Sequence, residues 1–169
     1  MDLDADGWLD LVILNYVRFG PDSKQYCDHG SGVLTGCRPQ EYEPEFGEIW
    51  KNMAGQRFER VPDEYAMAHT HGIGLVLSFA DLDDDGLPDI YIGNDGSDAE
   101  LLHNRGAMHF ENKGLVSGLA LNAQGDALAA MGSDWGDYDR DGHLDLTVTG
   151  FQGQGASLFH NLGNLLFSD

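Results

Sequence analysis

The sequence predicts an all-β fold, a partial β-propeller of about three four-stranded blades, and three observations predict it. An aspartate pattern occurs three times: "DLDADGWLDLVIL" at residues 2–14, "DLDDDGLPDIYIG" at 81–93 and "DYDRDGHLDLTVT" at 137–149. A second pattern follows each copy: "IWKNMAGQRFERV" (49–61), "LLHNRGAMHFENK" (101–113) and "LFHNLGNLLFSD" (158–169). Its Asn residues (Asn52, Asn104, Asn161) align, as do its Phe residues (Phe58, Phe110, Phe167). Finally, no stretch sustains the 3.6-residue periodicity of an amphipathic helix.

Each unit reads as strands in order. A short β-type run follows every Asp motif: "DLVILNYV" (10–17), "DIYIGN" (89–94) and "DLTVTGF" (145–151). Incoming strands precede the second and third motifs, at "GIGLVLSFA" (72–80) and "AMGSDWG" (130–136). The Asn-turn-Phe element reads as a hairpin, turning at Ala54-Gly55 and at Gly106-Ala107. Residues 114–130 come nearest to a helix, but their Gly content favours a loop. Asn52 follows Asp2 by 50 residues, where Asn104 follows Asp81 by 23 and Asn161 follows Asp137 by 24, so the first unit carries an insertion, residues 18–47. The expected organisation is one continuous domain with blades at 1–62, 63–118 and 119–169. An open array of β-modules is the alternative. Propellers close with four to eight blades, and Met1 abuts the first Asp of a motif. The expectation is therefore a fragment whose remaining blades, and any signal peptide, belong to a longer parent chain.

Composition narrows the function. The chain has 169 residues, 41% of them apolar, which fits a domain with a real core and not a disordered acidic tail. Its 29 acids against 9 bases give a formal charge of -20, which argues against nucleic acid and anionic membranes as partners. No apolar run approaches the roughly 18 residues of a membrane span.

The acids point to a cation. In D-x-D-x-D-G-x-x-D, carboxylates at positions 1, 3, 5 and 9 can surround one ion, Gly at position 6 permits the sharp turn, and the carbonyl at position 7 can add an oxygen. Hard cations such as Ca²⁺ take six to eight oxygens of this kind. The candidate ligands are Asp2, Asp4, Asp6, Trp8 (carbonyl) and Asp10; Asp81, Asp83, Asp85, Leu87 (carbonyl) and Asp89; and Asp137, Asp139, Asp141, His143 (carbonyl) and Asp145. Up to three Ca²⁺ would offset part of the charge. An EF-hand is disfavoured, because its position 12 requires Glu and here falls on Ile13, Ile92 or Val148, inside strand patterns. The competing reading is three solvated turns, since Asp and Gly favour turns without any metal.

These motifs resemble the FG-GAP or VCBS repeat, the calcium-loop blade of many surface proteins. "DGWLDLVILNYV", the Cys-bearing insertion, "IWKN…RF" and "AAMGSDWGDYDRDG" resemble more narrowly the cartilage acidic protein family, the ASPIC/UnbV group, with Ala130 where that group favours Gly. The resemblance implies a secreted, cell-surface or periplasmic propeller with bound calcium, and no single activity. Cys27 and Cys37, the only cysteines, stand ten residues apart, as a disulfide, as two thiols or as half a metal site with His29. The resemblance and the extracytoplasmic setting it implies favour the disulfide.

Other candidates are weaker. His69 and His71 are spaced like ligands on one side of a strand. His103 and His160 align with Lys51, a repeat position expected to face solvent, while Trp50, Leu102 and Phe159, with the three Phe, are expected to pack between blades. No nucleophile-elbow, zincin, C-x-x-C or phosphate-loop motif is present. The expected function is a calcium-binding extracellular scaffold for a protein or glycan ligand. The alternative is part of a propeller-type enzyme or an accessory protein of natural-product biosynthesis.

Overall fold

The computed structural model describes residues 1–169 except 24, 68, 69 and 71, so His69 and His71 lie outside the described residues. The strands are β1 (Leu11–Ile13), β2 (Cys27–Asp28), β3 (Leu34–Thr35), β4 (Glu48–Asn52), β5 (Phe58–Arg60), β6 (Gly74–Ala80), β7 (Asp89–Asn94), β8 (Glu100–Asn104), β9 (Phe110–Asn112), β10 (Gly132–Gly136), β11 (Asp145–Thr149), β12 (Ser157–Asn161) and β13 (Phe167–Ser168). They form three antiparallel meanders, β1-β4-β5, β6-β7-β8-β9 and β10-β11-β12-β13, and a separate β2-β3 hairpin. Both expected incoming strands are present, as β6 and β10. The stretch read as a loop does hold one helical turn, α1 (Gly114–Ser117), which stops at Gly118 in the left-handed region.

Strand periodicity decides how the sheets stack. Successive side chains point to opposite faces. On β7, Ile90 and Ile92 join Leu3, Ile49, Val61 and Leu102 in a core between the first and second sheets. Tyr91, between them in sequence, joins Leu101, Leu146, Val148 and Phe159 in a core between the second and third sheets. The middle sheet is thus covered on both faces, and every residue of β7 and β8 is buried. β6 and β10 lie side by side, tied by the Ser133 and Ser78 hydroxyls at 2.9 Å.

The outer sheets have one open face each, and this corrects part of the expected packing. Leu102, Phe159, Phe110 and Phe167 are buried, but Trp50 is only half-buried and Phe58 is 47% exposed. Phe110 packs back toward the first sheet and Phe167 back toward the second. Phe58, on the first sheet, has no second sheet packed on it among the described residues.

Residues between β1 and β4 leave the sheet through a neck closed by the Val17–Pro44 bridge and by Arg18 N–H donating to the Glu43 carbonyl at 2.7 Å. Cys27 and Cys37 are disulfide-bonded across this insertion, which sets aside the thiol and half-site readings; His29 Nε2 instead lies 2.9 Å from the Gly36 carbonyl oxygen. The Asp loops lead into β1, β7 and β11, whereas the insertion leaves from the far end of β1. It is fixed at the far end of β7 too, where its Gln40 Nε2 donates to the Asp95 carbonyl at 2.6 Å and Tyr16, just before it, donates its hydroxyl to the Asp95 carboxylate. The insertion and the Asp loops therefore occupy opposite ends of the strands.

Candidate metal centres

The three Asp loops share one hydrogen-bond plan. The first Asp receives two amides: Asp6 N and Gly7 N on Asp2 (3.2 and 2.9 Å), Asp85 N and Gly86 N on Asp81 (3.2 and 2.9 Å), and Asp141 N and Gly142 N on Asp137 (3.1 Å each). The third Asp accepts from the position-7 amide: Trp8 N to Asp6 at 2.9 Å, and Leu87 N to Asp85 and His143 N to Asp141 at 2.8 Å. The turn requires left-handed backbone at positions 4 and 6. Gly7, Gly86 and Gly142 supply it freely at position 6 (φ 88°, 86° and 94°). Ala5, Asp84 and Arg140 adopt it at position 4 (φ 58°, 59° and 66°) against their own sterics.

Position 9 braces the loop against the sheet. Asp10, Asp89 and Asp145 are all buried. One oxygen of each accepts from the position-2 amide (Leu3 at 2.9 Å, Leu82 at 3.3 Å, Tyr138 at 3.1 Å). The other accepts from the aligned Asn amide (Asn52, Asn104 and Asn161, 2.8 Å each). Burial pushes the Asp89 carboxyl above the usual carboxylate range, against the pull of the Asn104 amide and His103.

The aligned Asn residues complete the plan. Each Oδ1 accepts a hairpin glycine amide (Gly55 at 2.8 Å, Gly106 at 3.0 Å, Gly163 at 2.9 Å). Each Nδ2 donates to the carbonyl just before the ninth Asp (Leu9 at 2.9 Å, Pro88 at 3.1 Å, Leu144 at 2.9 Å). The sequence aligned these Asn residues without giving them a role, although their fixed place in every repeat was the available signal. The position-7 side chains sit over the same glycines. A Cβ on Gly55 would lie 2.6 Å from the Trp8 ring, while Leu87 and His143 approach Gly106 and Gly163 at 3.6 and 3.9 Å by the same measure.

Carboxylate oxygens of Asp2, Asp4 and Asp6 come within 4.8 Å of one another, as do those of Asp81, Asp83 and Asp85. In the third loop Asp139 and Asp145 gather with His160, and in the second Asp83 and Asp89 also gather with His103. The Asp4 side chain is 10% exposed and its Oδ1 has no hydrogen-bond partner among the described residues. A buried oxygen without a partner is costly, and an all-oxygen cluster of this kind fits a hard divalent cation.

The repeat position expected to face solvent turns inward instead. His103 is buried, with Nδ1 2.9 Å from Asp89, and Arg105 Nη1 stands 2.9 Å from its Nε2. His103 thus stands between the Asp89 carboxylate on its Nδ1 side and the Arg105 guanidinium on its Nε2 side. His160 Nδ1 lies 3.2 Å from Asp145. A buried carboxylate that draws in a donor explains the inward turn.

Three β-meanders, each with an Asp loop braced to an Asn hairpin, define a β-rich repeat protein. Residues 81–148 match the family model of the FG-GAP-like repeat, which supports that repeat family. The match runs from the first acid of the second loop to β11, beyond the last acid of the third. No curated protein and no solved structure matches the chain.

Proposed function

We propose that this chain is a calcium-stabilised segment of a β-propeller that serves outside the cytoplasm as a binding or adhesion scaffold. The observation that carries the reading is the threefold repetition of one Asp loop, with like-charged oxygens converging and the buried Asp4 Oδ1 left without a partner. Asp2, Asp81 and Asp137, held by paired amides, the acids at positions 3 and 5, and the position-7 carbonyls of Trp8, Leu87 and His143 would hold the ion. The buried ninth acids Asp10, Asp89 and Asp145 anchor each loop to its hairpin and complete the site. Calcium supplies charge neutralisation and cross-bracing.

The stacked meanders support the propeller. The Cys27–Cys37 disulfide supports an oxidising compartment, and among the described residues no helix is long and apolar enough to cross a membrane. The Cys-bearing insertion and "AAMGSDWGDYDRDG" favour the ASPIC/UnbV-like group within the repeat family. A protein or glycan partner is the ligand class this scaffold would take, with further blades of a parent chain beside it.

Calorimetric titration tests the metal reading. Extracellular calcium modules bind at roughly 10⁻⁴–10⁻³ M, and calcium heats in that range, reduced by one site each in Asp83→Asn and Asp139→Asn, are expected. Absence of calcium binding to the folded wild-type chain would overturn the reading.

A further inference from the structure

The repeat position of Lys51, His103 and His160, which faces each loop from the neighbouring strand, carries a different charge in the first repeat. On β4, Lys51 directs its ammonium into the first loop, where it bonds Asp4 and lies 3.2 Å from Asp6 Oδ2. His103 and His160 at the same position lean on the ninth acid, with the loop acids Asp83 and Asp139 farther off at 3.7 and 3.6 Å. Among the described residues, no Lys or Arg pairs with the acids at positions 1, 3 and 5 of the second or third loop. Hence one loop contains a fixed positive charge among the oxygens a metal would take. Asp4 keeps one oxygen on that ammonium and the other buried without a partner.

Resting on the calcium reading above, we propose that Lys51 is a built-in competing cation that makes the first loop the weakest of the three calcium sites. Calcium entering this loop must displace the ammonium from Asp4 and Asp6, then bind beside a charge of its own sign. A unit positive charge about 6 Å from a divalent ion in a water-like medium weakens binding by about tenfold. The second and third loops fill first, and the first holds its shape by the Lys51 pairs when calcium is scarce. The scaffold thereby gains a graded response, the second and third loops saturating at a calcium level that leaves the first half-empty.

The test is calcium titration of the wild-type chain, Lys51→Met and Lys51→His, the last placing in the first loop the residue of the other two. Wild type is expected to show two comparable sites and one about tenfold weaker, the weak one lost in Asp4→Asn. Lys51→Met and Lys51→His are expected to bring that site to within about threefold of the others. Melting provides a second readout: in chelator Lys51→Met melts below wild type, and in saturating calcium the gap closes or reverses. First-loop affinity unchanged by either substitution, with the second and third loops still binding, overturns the proposal alone. No binding at any loop overturns the calcium reading, and the proposal with it.

Discussion

At the scale of single residues, the loops combine freedom where the backbone must turn with crowding where charge must gather. Gly86 has open space around a would-be Cβ, so Gly86→Ala costs only the left-handed conformation, about 1–2 kcal/mol. Ala5→Gly relieves the same strain at position 4 and is expected to stabilise by up to about 1 kcal/mol. Chemical denaturation of the two variants checks both signs. Asp83 accepts no backbone hydrogen bond among the described residues, and Asp139 accepts only a 3.2 Å one from the Asp141 amide, which Asp137 also holds, so Asp83→Ala and Asp139→Ala are expected to lower the melting temperature in calcium and change it little in chelator. Equal losses in both buffers would show that these acids stabilise by some other route. The sequence made the acids and the glycine legible because spacing alone defines them. It did not reveal that the ninth acid is buried, since its burial depends on an Asn from a hairpin far along the chain.

The element that holds each loop in place is the Asn hairpin. Removing Asp145 strands the buried Asn161 amide and the part-buried Tyr138 amide, and a buried amide left alone costs about 1–3 kcal/mol. Asp145→Ala and Asn161→Ala are therefore expected to destabilise with calcium or with chelator, unlike Asp139→Ala. This contrast separates bracing acids from metal-directed ones, and melting curves in both buffers read it. Strand runs, hairpins and the Asn alignment were readable from the chain. The inward turn of His103 was not, because alignment with Lys51 suggested a solvated position and only the folded sheet places Asp89 beside it.

Over the whole molecule, each sheet plugs into its neighbours in a repeating way. The position-2 side chain points forward: Leu3 enters the core shared with the second sheet and Leu82 the core shared with the third. Asn104 adds a link between repeats, donating to the Leu3 carbonyl at 2.8 Å. Tyr138, the third member, is 56% exposed, with no further sheet packed on it among the described residues. Leu82→Ala is expected to cost about 2–4 kcal/mol and Tyr138→Ala less than 1 kcal/mol, measured by urea denaturation. The repeat period predicts that similar units stack. Which face of each unit is covered depends on its neighbours, so the exposure of Phe58 and Tyr138 was not written in their own repeats.

The central claim is that calcium braces this fold, and thermal unfolding in about 2 mM CaCl₂ against EDTA, with Mg²⁺ as control, tests it most directly. Linkage at affinities of roughly 10⁻⁴–10⁻³ M gives about 0.6–1.8 kcal/mol per filled site. For a chain of this size the expected result is a calcium-specific rise in Tm of about 4–12 °C. A cooperative transition at the same temperature in calcium and in EDTA would contradict the account and leave the three Asp loops as turns held by hydrogen bonds alone.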